Sequence, residues 1–175
     1  NKFICDVDGT LTPSRQVIDH DFAVFFSNFC AENDVYLVTG SDKEKTVEQL
    51  GEEIYNLCKR VYQCNGNDVW EGETHIKSDN WSLSLFVRSW LETKLKESSF
   101  PLRTGLHIEE RPGMVNFSVV GRNATIGERK LYVKYDTQHN ERNLIAGLFN
   151  KEFPELIARP GGETGIDISP KGTDK

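Results

Sequence analysis

No apolar run in this chain approaches the ~20 residues that a bilayer-spanning helix needs, so a membrane helix is excluded. Positive charge is in short supply: 21 Lys and Arg stand against 27 Asp and Glu, a formal net charge of -6. That balance argues against nucleic acid as a partner, because phosphate-backbone binding rests on clustered excess cations. The features of a secretory leader are missing as well. Asn1 and Lys2 lead straight into strand-like Phe3-Ile4-Cys5, and a cytoplasmic protein is expected. Cysteine is sparse. Cys5, Cys30, Cys58 and Cys64 sit in apolar or element-like stretches without paired metal spacing, which points to reduced, buried thiols. Neither an internal repeat nor a low-complexity tract occurs, and the sequons at Asn80, Asn116 and Asn123 read as chance matches in a chain without an export signal.

What is present suits a globular enzyme. The 175 residues, 37% hydrophobic and 27% charged, have room for one medium domain or for a small core with an inserted subdomain. Phe3-Ile4-Cys5 reads as a buried strand ending at Asp6. Phe22, Phe25, Phe26 and Phe29 then recur at helical spacing. Val35–Val38 is a second strand, followed by a helix carrying Val47, Leu50, Ile54 and Leu57, with Ser41 and Glu44 at capping-box spacing. Val61–Cys64 is a third. Strands alternating with helices in this way predict a parallel, doubly wound α/β core. The pattern changes afterwards: a helix over 81–97, an alternating strand over 114–120, a helix over 139–153, and short strands at 156–158 and 166–168 predict an α+β lobe inserted into that core.

The sharpest chemical signal is Asp6-Val7-Asp8-Gly9-Thr10-Leu11-Thr12, directly after the first strand. Ligands of open α/β sheets bind beyond the carboxyl ends of the strands, where both carboxylates emerge. Two acids one residue apart on a loop can divide the labour of phosphoryl transfer. One attacks phosphorus and binds a hard cation, while the other handles the leaving-group proton.

The chain resembles the haloacid dehalogenase (HAD) superfamily and, within it, the eukaryotic-type phosphomannomutases. The residues that carry the resemblance are Asp6 to Arg15, Gly40 to Gly51, Asn65-Gly66, Glu110-Arg111, Gly113-Met114, Val120 to Arg122, Glu128-Arg129, Gly161-Gly162, Asp167 and Pro170 to Lys175, in order and at family-like spacing. The resemblance implies a HAD-like core over 1–74, a cap of antiparallel sheet and helices over 75–168, and a return to the core over 169–175. It implies Asp6 as nucleophile and Mg2+ ligand, and Asp8 as general acid/base and ligand through its carbonyl. Thr39 or Ser41 would hold the transferring phosphoryl group, and Lys175 would neutralise charge near Asp6. Ser41 is equally open to reading as a helix cap.

Arg15, Arg111, Arg122 and Arg129 correspond to arginines that hold the substrate phosphate. Forked guanidinium donors suit that dianion better than lysines do, although spacing alone would equally describe a solvated face. Asp167 matches a sugar-hydroxyl contact, or equally an acid facing water. The activity implied is interconversion of mannose 6-phosphate and mannose 1-phosphate, with a hexose 1,6-bisphosphate as activator and a homodimer formed through the cap. A sugar-phosphate phosphatase and a non-catalytic sugar-phosphate-binding fragment are the alternatives. Departures from the family occur at Cys64, Pro112, Thr173, Thr39 (for glycine) and Gly165 (for serine). The family also continues beyond the Lys175 position into strands that complete its metal site, so a truncated core with little activity of its own is expected.

Overall fold

The computed structural model describes residues 1–172; Lys175 and Thr173, and with them the charge-neutralising role expected of Lys175, lie outside the described residues. The chain divides into two compact units, one spanning Asn1–Asn80 and the other Trp81–Gly172.

In the first unit β1 (Lys2–Asp6), β2 (Asp34–Val38) and β3 (Arg60–Gln63) run parallel, and β4 (Asp68–Glu71) and β5 (Thr74–Ser78) add an antiparallel hairpin, in the order β1-β2-β3-β4-β5. Helices α1 (His20–Glu32), α2 (Lys43–Leu50) and α3 (Glu52–Leu57) connect the parallel strands. Their apolar sides and the strands share one cluster, including Val7, Phe26, Cys30, Val35, Leu37, Leu50, Ile54, Cys58 and Val61. Asp19 starts α1 by accepting from Asp21 N at 3.1 Å and Phe22 N at 3.0 Å. Of the four helix phenylalanines only Phe26 is buried, and Phe25 is 60% exposed.

Two local expectations need correction here, and one element was missed. The helix after β2 is capped by Asp42, which accepts from Lys45 N at 2.8 Å, so Ser41 is not the cap. The chain then turns at Gly51, splitting what periodicity suggested was one helix into α2 and α3. The β4–β5 hairpin was not anticipated. Thr74–Ser78 is exposed along its whole length, so it carries no burial pattern, yet it pairs with β4 and belongs to the first unit. The cysteines are reduced, three of them buried and Cys5 partly so. The Cys58 thiol is pushed up by its hydrogen bond with Cys30 and by burial.

The second unit packs α4 (Leu85–Glu97), α5 (Ile126–His139) and α6 (Glu141–Glu152) with a four-stranded antiparallel sheet. Its strands are β6 (Ile108–Arg111), β7 (Met114–Ser118), β8 (Leu156–Gly161) and β9 (Gly165–Pro170), in the order β6-β7-β9-β8. Strand alternation sends Val115, Phe117, Ile166 and Ile168 into a core shared with Leu91, Tyr132 and Phe149. The helix expected from residue 81 begins at Leu85, because Ser84 caps it by accepting from Val87 N at 3.3 Å. The one expected from His139 begins at Glu141, because Asn140 takes a left-handed conformation (φ 54°) that ends α5. Among the described residues no helix is long and apolar enough to cross a membrane.

Candidate active site

The register of the parallel strands fixes where the chemistry emerges. Asp6 pairs with Val38 and Val38 with Tyr62, so Asp6, Thr39 and the Cys64–Gly66 turn all leave the same end of the sheet. Asp6 is exposed. The chain folds back at once: the amides of Thr10, Leu11 and Thr12 converge on the Val7 carbonyl at 3.2, 2.9 and 3.1 Å, and Gly9 N donates to Thr12 O at 2.8 Å. This ring closes because Gly9 takes φ 77°, which costs a side-chain-bearing residue dearly. Val7, wholly buried, anchors the loop to the core.

Asp8 is partly buried. Its Oδ1 accepts from Arg15 N at 2.6 Å and from Gln49 Nε2 at 2.9 Å. Arg15 therefore enters the site first through its backbone, in a left-handed conformation (φ 59°) that turns its amide onto Asp8. Thr39 is fully buried. Its Oγ1 accepts from Ser41 N at 3.1 Å and its carbonyl accepts from Asn65 N at 3.1 Å, while Cys64 N donates to Ser41 O at 3.0 Å. Thr39 thus shapes the second loop from within, and partly exposed Ser41 is the better placed of the two to meet a ligand.

In the second unit the register sets Glu109 opposite Asn116, Asn116 opposite Asp167, and Asp167 opposite Arg159. Directly opposed residues share a face, so these four form a polar row across all four strands, on the side away from Phe117 and Ile166. Glu109 Oε2 accepts from Arg111 Nη2 and from Arg122 Nη1, each at 2.7 Å. The structure therefore brings Arg111 and Arg122 onto one carboxylate oxygen. Arg122 is further fixed by its amide, which donates to Leu106 O at 2.7 Å. Arg129 lies on α5, with Nη2 3.8 Å from Glu163 Oε2. A capping box starts that helix: Glu128 accepts from Thr125 N, and Thr125 Oγ1 accepts from Glu128 N. Asp167 Oδ1 accepts from Asn116 Nδ2 at 2.7 Å.

Sequence reading missed Gln49, Glu109, Asn116 and Arg159. Only strand pairing reveals the last three, whereas Gln49 stands within the Gly40–Gly51 segment that carried the resemblance. Among the described residues no three His, Cys, Asp or Glu side chains cluster into a metal cage. The Asp6 carboxylate and the Asp8 carbonyl nevertheless offer hard oxygen donors. A few protein oxygens suffice for Mg2+, which keeps several waters and takes the rest of its shell from substrate phosphate.

Solved structures place this architecture. A haloacid dehalogenase-like hydrolase from Bacteroides thetaiotaomicron matches with a TM-score of 0.61 and 12% identity, covering 99% of this chain and 72% of that one. The C-terminal domain of C. albicans trehalose-6-phosphate phosphatase matches with a TM-score of 0.65 and 16% identity, covering 99% of this chain and 58% of that one. At such identities the likeness defines the fold alone, that of the haloacid dehalogenase class. The sequence goes further. The family described as eukaryotic phosphomannomutase matches residues 22–175. The phosphomannomutase of Saccharomyces cerevisiae is 32% identical over 182 residues, covering 97% of this chain and 70% of that protein. The chain belongs to the eukaryotic phosphomannomutase family.

Proposed function

We propose that this chain carries phosphomannomutase activity, interconverting mannose 6-phosphate and mannose 1-phosphate through a phosphorylated Asp6. The observation that carries the reading is the placing of two neighbouring carboxylates at the carboxyl end of β1. Asp6 is exposed at the carboxyl end of β1, and partly buried Asp8 accepts from two N–H donors through one oxygen. An exposed carboxylate suits attack on phosphorus, and a tethered one suits repeated proton exchange with a sugar oxygen.

In this reading a hexose 1,6-bisphosphate phosphorylates Asp6, and Asp8 protonates the departing sugar oxygen. In the second half-reaction Asp8 removes the proton from the accepting hydroxyl. Mg2+, when bound, offsets phosphate charge beside the Asp6 carboxylate and the Asp8 carbonyl. Ser41 and Arg15 serve the transferring group. Arg111, Arg122 and Arg129 grip the phosphate that does not react, and Asp167 meets a sugar hydroxyl. A phosphatase acting on a monophosphate has no need of that second anion site, and this favours the mutase. The homodimer is proposed through the second unit, where Leu85, Phe86, Leu144 and Leu148 leave large apolar surface exposed. The compartment proposed is the cytoplasm.

The test couples mannose 6-phosphate formation to a reporter enzyme, with release of inorganic phosphate followed in parallel. Turnover is expected to need catalytic hexose 1,6-bisphosphate, and Asp6→Asn is expected to lose at least ~10³-fold in kcat. Stoichiometric phosphate release without isomerisation would instead identify a phosphatase, and an Asp6→Asn variant of near-normal rate would remove the nucleophile assignment.

A further inference from the structure

The last turn of α2 reaches into the nucleophile loop through one side chain. Gln49 is fully buried, and its Nε2 lies 2.9 Å from Asp8 Oδ1, 3.1 Å from Thr12 Oγ1 and 3.4 Å from Gln16 O. Its own carbonyl accepts from Ile18 N at 2.8 Å, so backbone and side chain both bind the loop. A carboxylate and a main-chain carbonyl accept only, so the amide must present its NH2 end to them. The consequence is an Oε1 that is buried and without a hydrogen-bond partner among the described residues. An orphaned buried acceptor costs about 1–3 kcal/mol, which offsets much of what the bonds from Nε2 contribute to stability.

From this we infer that Gln49 is the positioning residue for the acid–base step, fixing which oxygen of Asp8 is turned toward the sugar oxygen. The inference rests on the acid–base reading of Asp8 given above. Both N–H donors fall on Oδ1, from Gln49 and from the Arg15 amide. Two donors thus occupy Oδ1, and Oδ2 is the oxygen left to meet the sugar oxygen. In the first half-reaction an Asp6 oxygen forms the new bond to phosphorus and the bond from phosphorus to the sugar oxygen breaks. The Oδ2 proton passes to that leaving oxygen, and Asp8 becomes a carboxylate. Without Gln49 only the Arg15 amide holds Oδ1, and the carboxyl group is less firmly oriented.

Leaving-group chemistry separates this role from a structural one. Acetate departs from acetyl phosphate as a stable anion and needs no proton, whereas a sugar oxygen does. The rate of Asp6 phosphorylation is to be measured by rapid quench in Mg2+, with glucose 1,6-bisphosphate or acetyl phosphate as donor, for the parent protein, Gln49→Met and Asp8→Asn. Gln49→Met is expected to slow the bisphosphate reaction by about 10–100-fold at saturating donor and the acetyl phosphate reaction by less than about threefold, since positioned proton transfer contributes 10²–10⁴-fold. Equal losses with both donors, or no loss with either, would overturn the inference. Asp8→Asn should show the same split. If it does not, the acid–base reading itself fails. Should Gln49→Met prove unfolded by circular dichroism, Gln49→Asn keeps the amide but withdraws it from Asp8, and the same ratio decides.

Discussion

Asn116 and Asp167 stand directly opposite one another across β7 and β9, with Asn116 Nδ2 donating to Asp167 Oδ1 at 2.7 Å. Gly165 makes room for that bond. A Cβ at 165 would lie 2.5 Å from Asn116 Nδ2, closer than real side chains approach. Glycine here, where the family resemblance led to an expectation of serine, is therefore matched to its neighbour. Gly165→Ser is expected to displace the Asn116 amide, release Asp167, and cost about 1 kcal/mol in stability, the usual worth of one such bond. Urea denaturation measures the cost. An unchanged midpoint, with unaltered KM for mannose 1-phosphate, would show that the strand absorbs the hydroxymethyl group without moving Asn116.

Glu109 joins two of the arginines proposed to hold the phosphate that does not react. Its Oε2 meets Arg111 and Arg122, and the three side chains are 14%, 9% and 20% exposed. Removing Glu109 takes a shared carboxylate from both arginines, and breaking a buried ion pair typically costs about 3–5 kcal/mol. Glu109→Ala is expected to destabilise the protein by about 3 kcal/mol. It should also raise KM for the hexose phosphate more than it lowers kcat, because the guanidiniums lose their shared anchor while Asp6 is untouched. A variant of parental stability whose loss falls wholly on kcat would contradict this.

Much of this was legible in the sequence because burial writes itself as pattern. β1, β2 and β3 are short apolar runs, and Asp6 follows the first of them as a carboxylate at a sheet end. What escaped did so for physical reasons. β6 reads Ile-Glu-Glu-Arg, and its acids pair with Arg111 of the same strand, with Arg122 of a loop and with Arg88 of α4, the last two beyond any local window. α5 buries only Tyr132, while Ile126, Leu131 and Val133 are 60%, 56% and 37% exposed, so its apolar residues mark no single face. The break at Gly51 was hidden because Val47, Leu50, Ile54 and Leu57 keep helical spacing across it. Ser41 and Asp42 are adjacent residues of equal capping power, and only the geometry shows that Asp42 took the role.

Asn140 joins α5 to α6 in the left-handed region, its amide donating to Asp136 O at 2.7 Å and its Oδ1 accepting from Asn143 Nδ2 at 2.7 Å. Asparagine tolerates that conformation, and most other side chains lose about 1–2 kcal/mol in it. Asn140→Ala is accordingly expected to lose about 1 kcal/mol, and Asn140→Gly to stay within about 0.5 kcal/mol of the parent, because glycine regains in backbone freedom what the Asn143 contact gave. Chemical denaturation of the pair supplies the check, and an alanine variant as stable as the glycine variant would mean that the joint relaxes into an ordinary helical turn.

Glu128 gives the second unit a pH dependence whose sign follows from its contacts. The Thr125 amide, then the Thr104 hydroxyl and then the Thr125 side chain hold its carboxyl below the ordinary glutamate value of 4.5. All of these favour the carboxylate, so the folded state binds its proton less readily than the unfolded chain does. The contribution is therefore fully present above 4.5 and fades as pH falls through the lower folded-state value. Thr125 and Glu128 together set the start of α5, and Arg129 follows in its first turn, so the same carboxylate also holds a proposed phosphate ligand in place. Glu128→Gln should be less stable than the parent at neutral pH, with a gap that narrows steadily as the solution is taken below 4.5. Denaturation of both proteins across that range tests the linkage. A gap of constant size would mean that the glutamine reproduces the cap and that the charge contributes nothing, while a gap widening toward acid would reverse the sign argued from the hydrogen bonds.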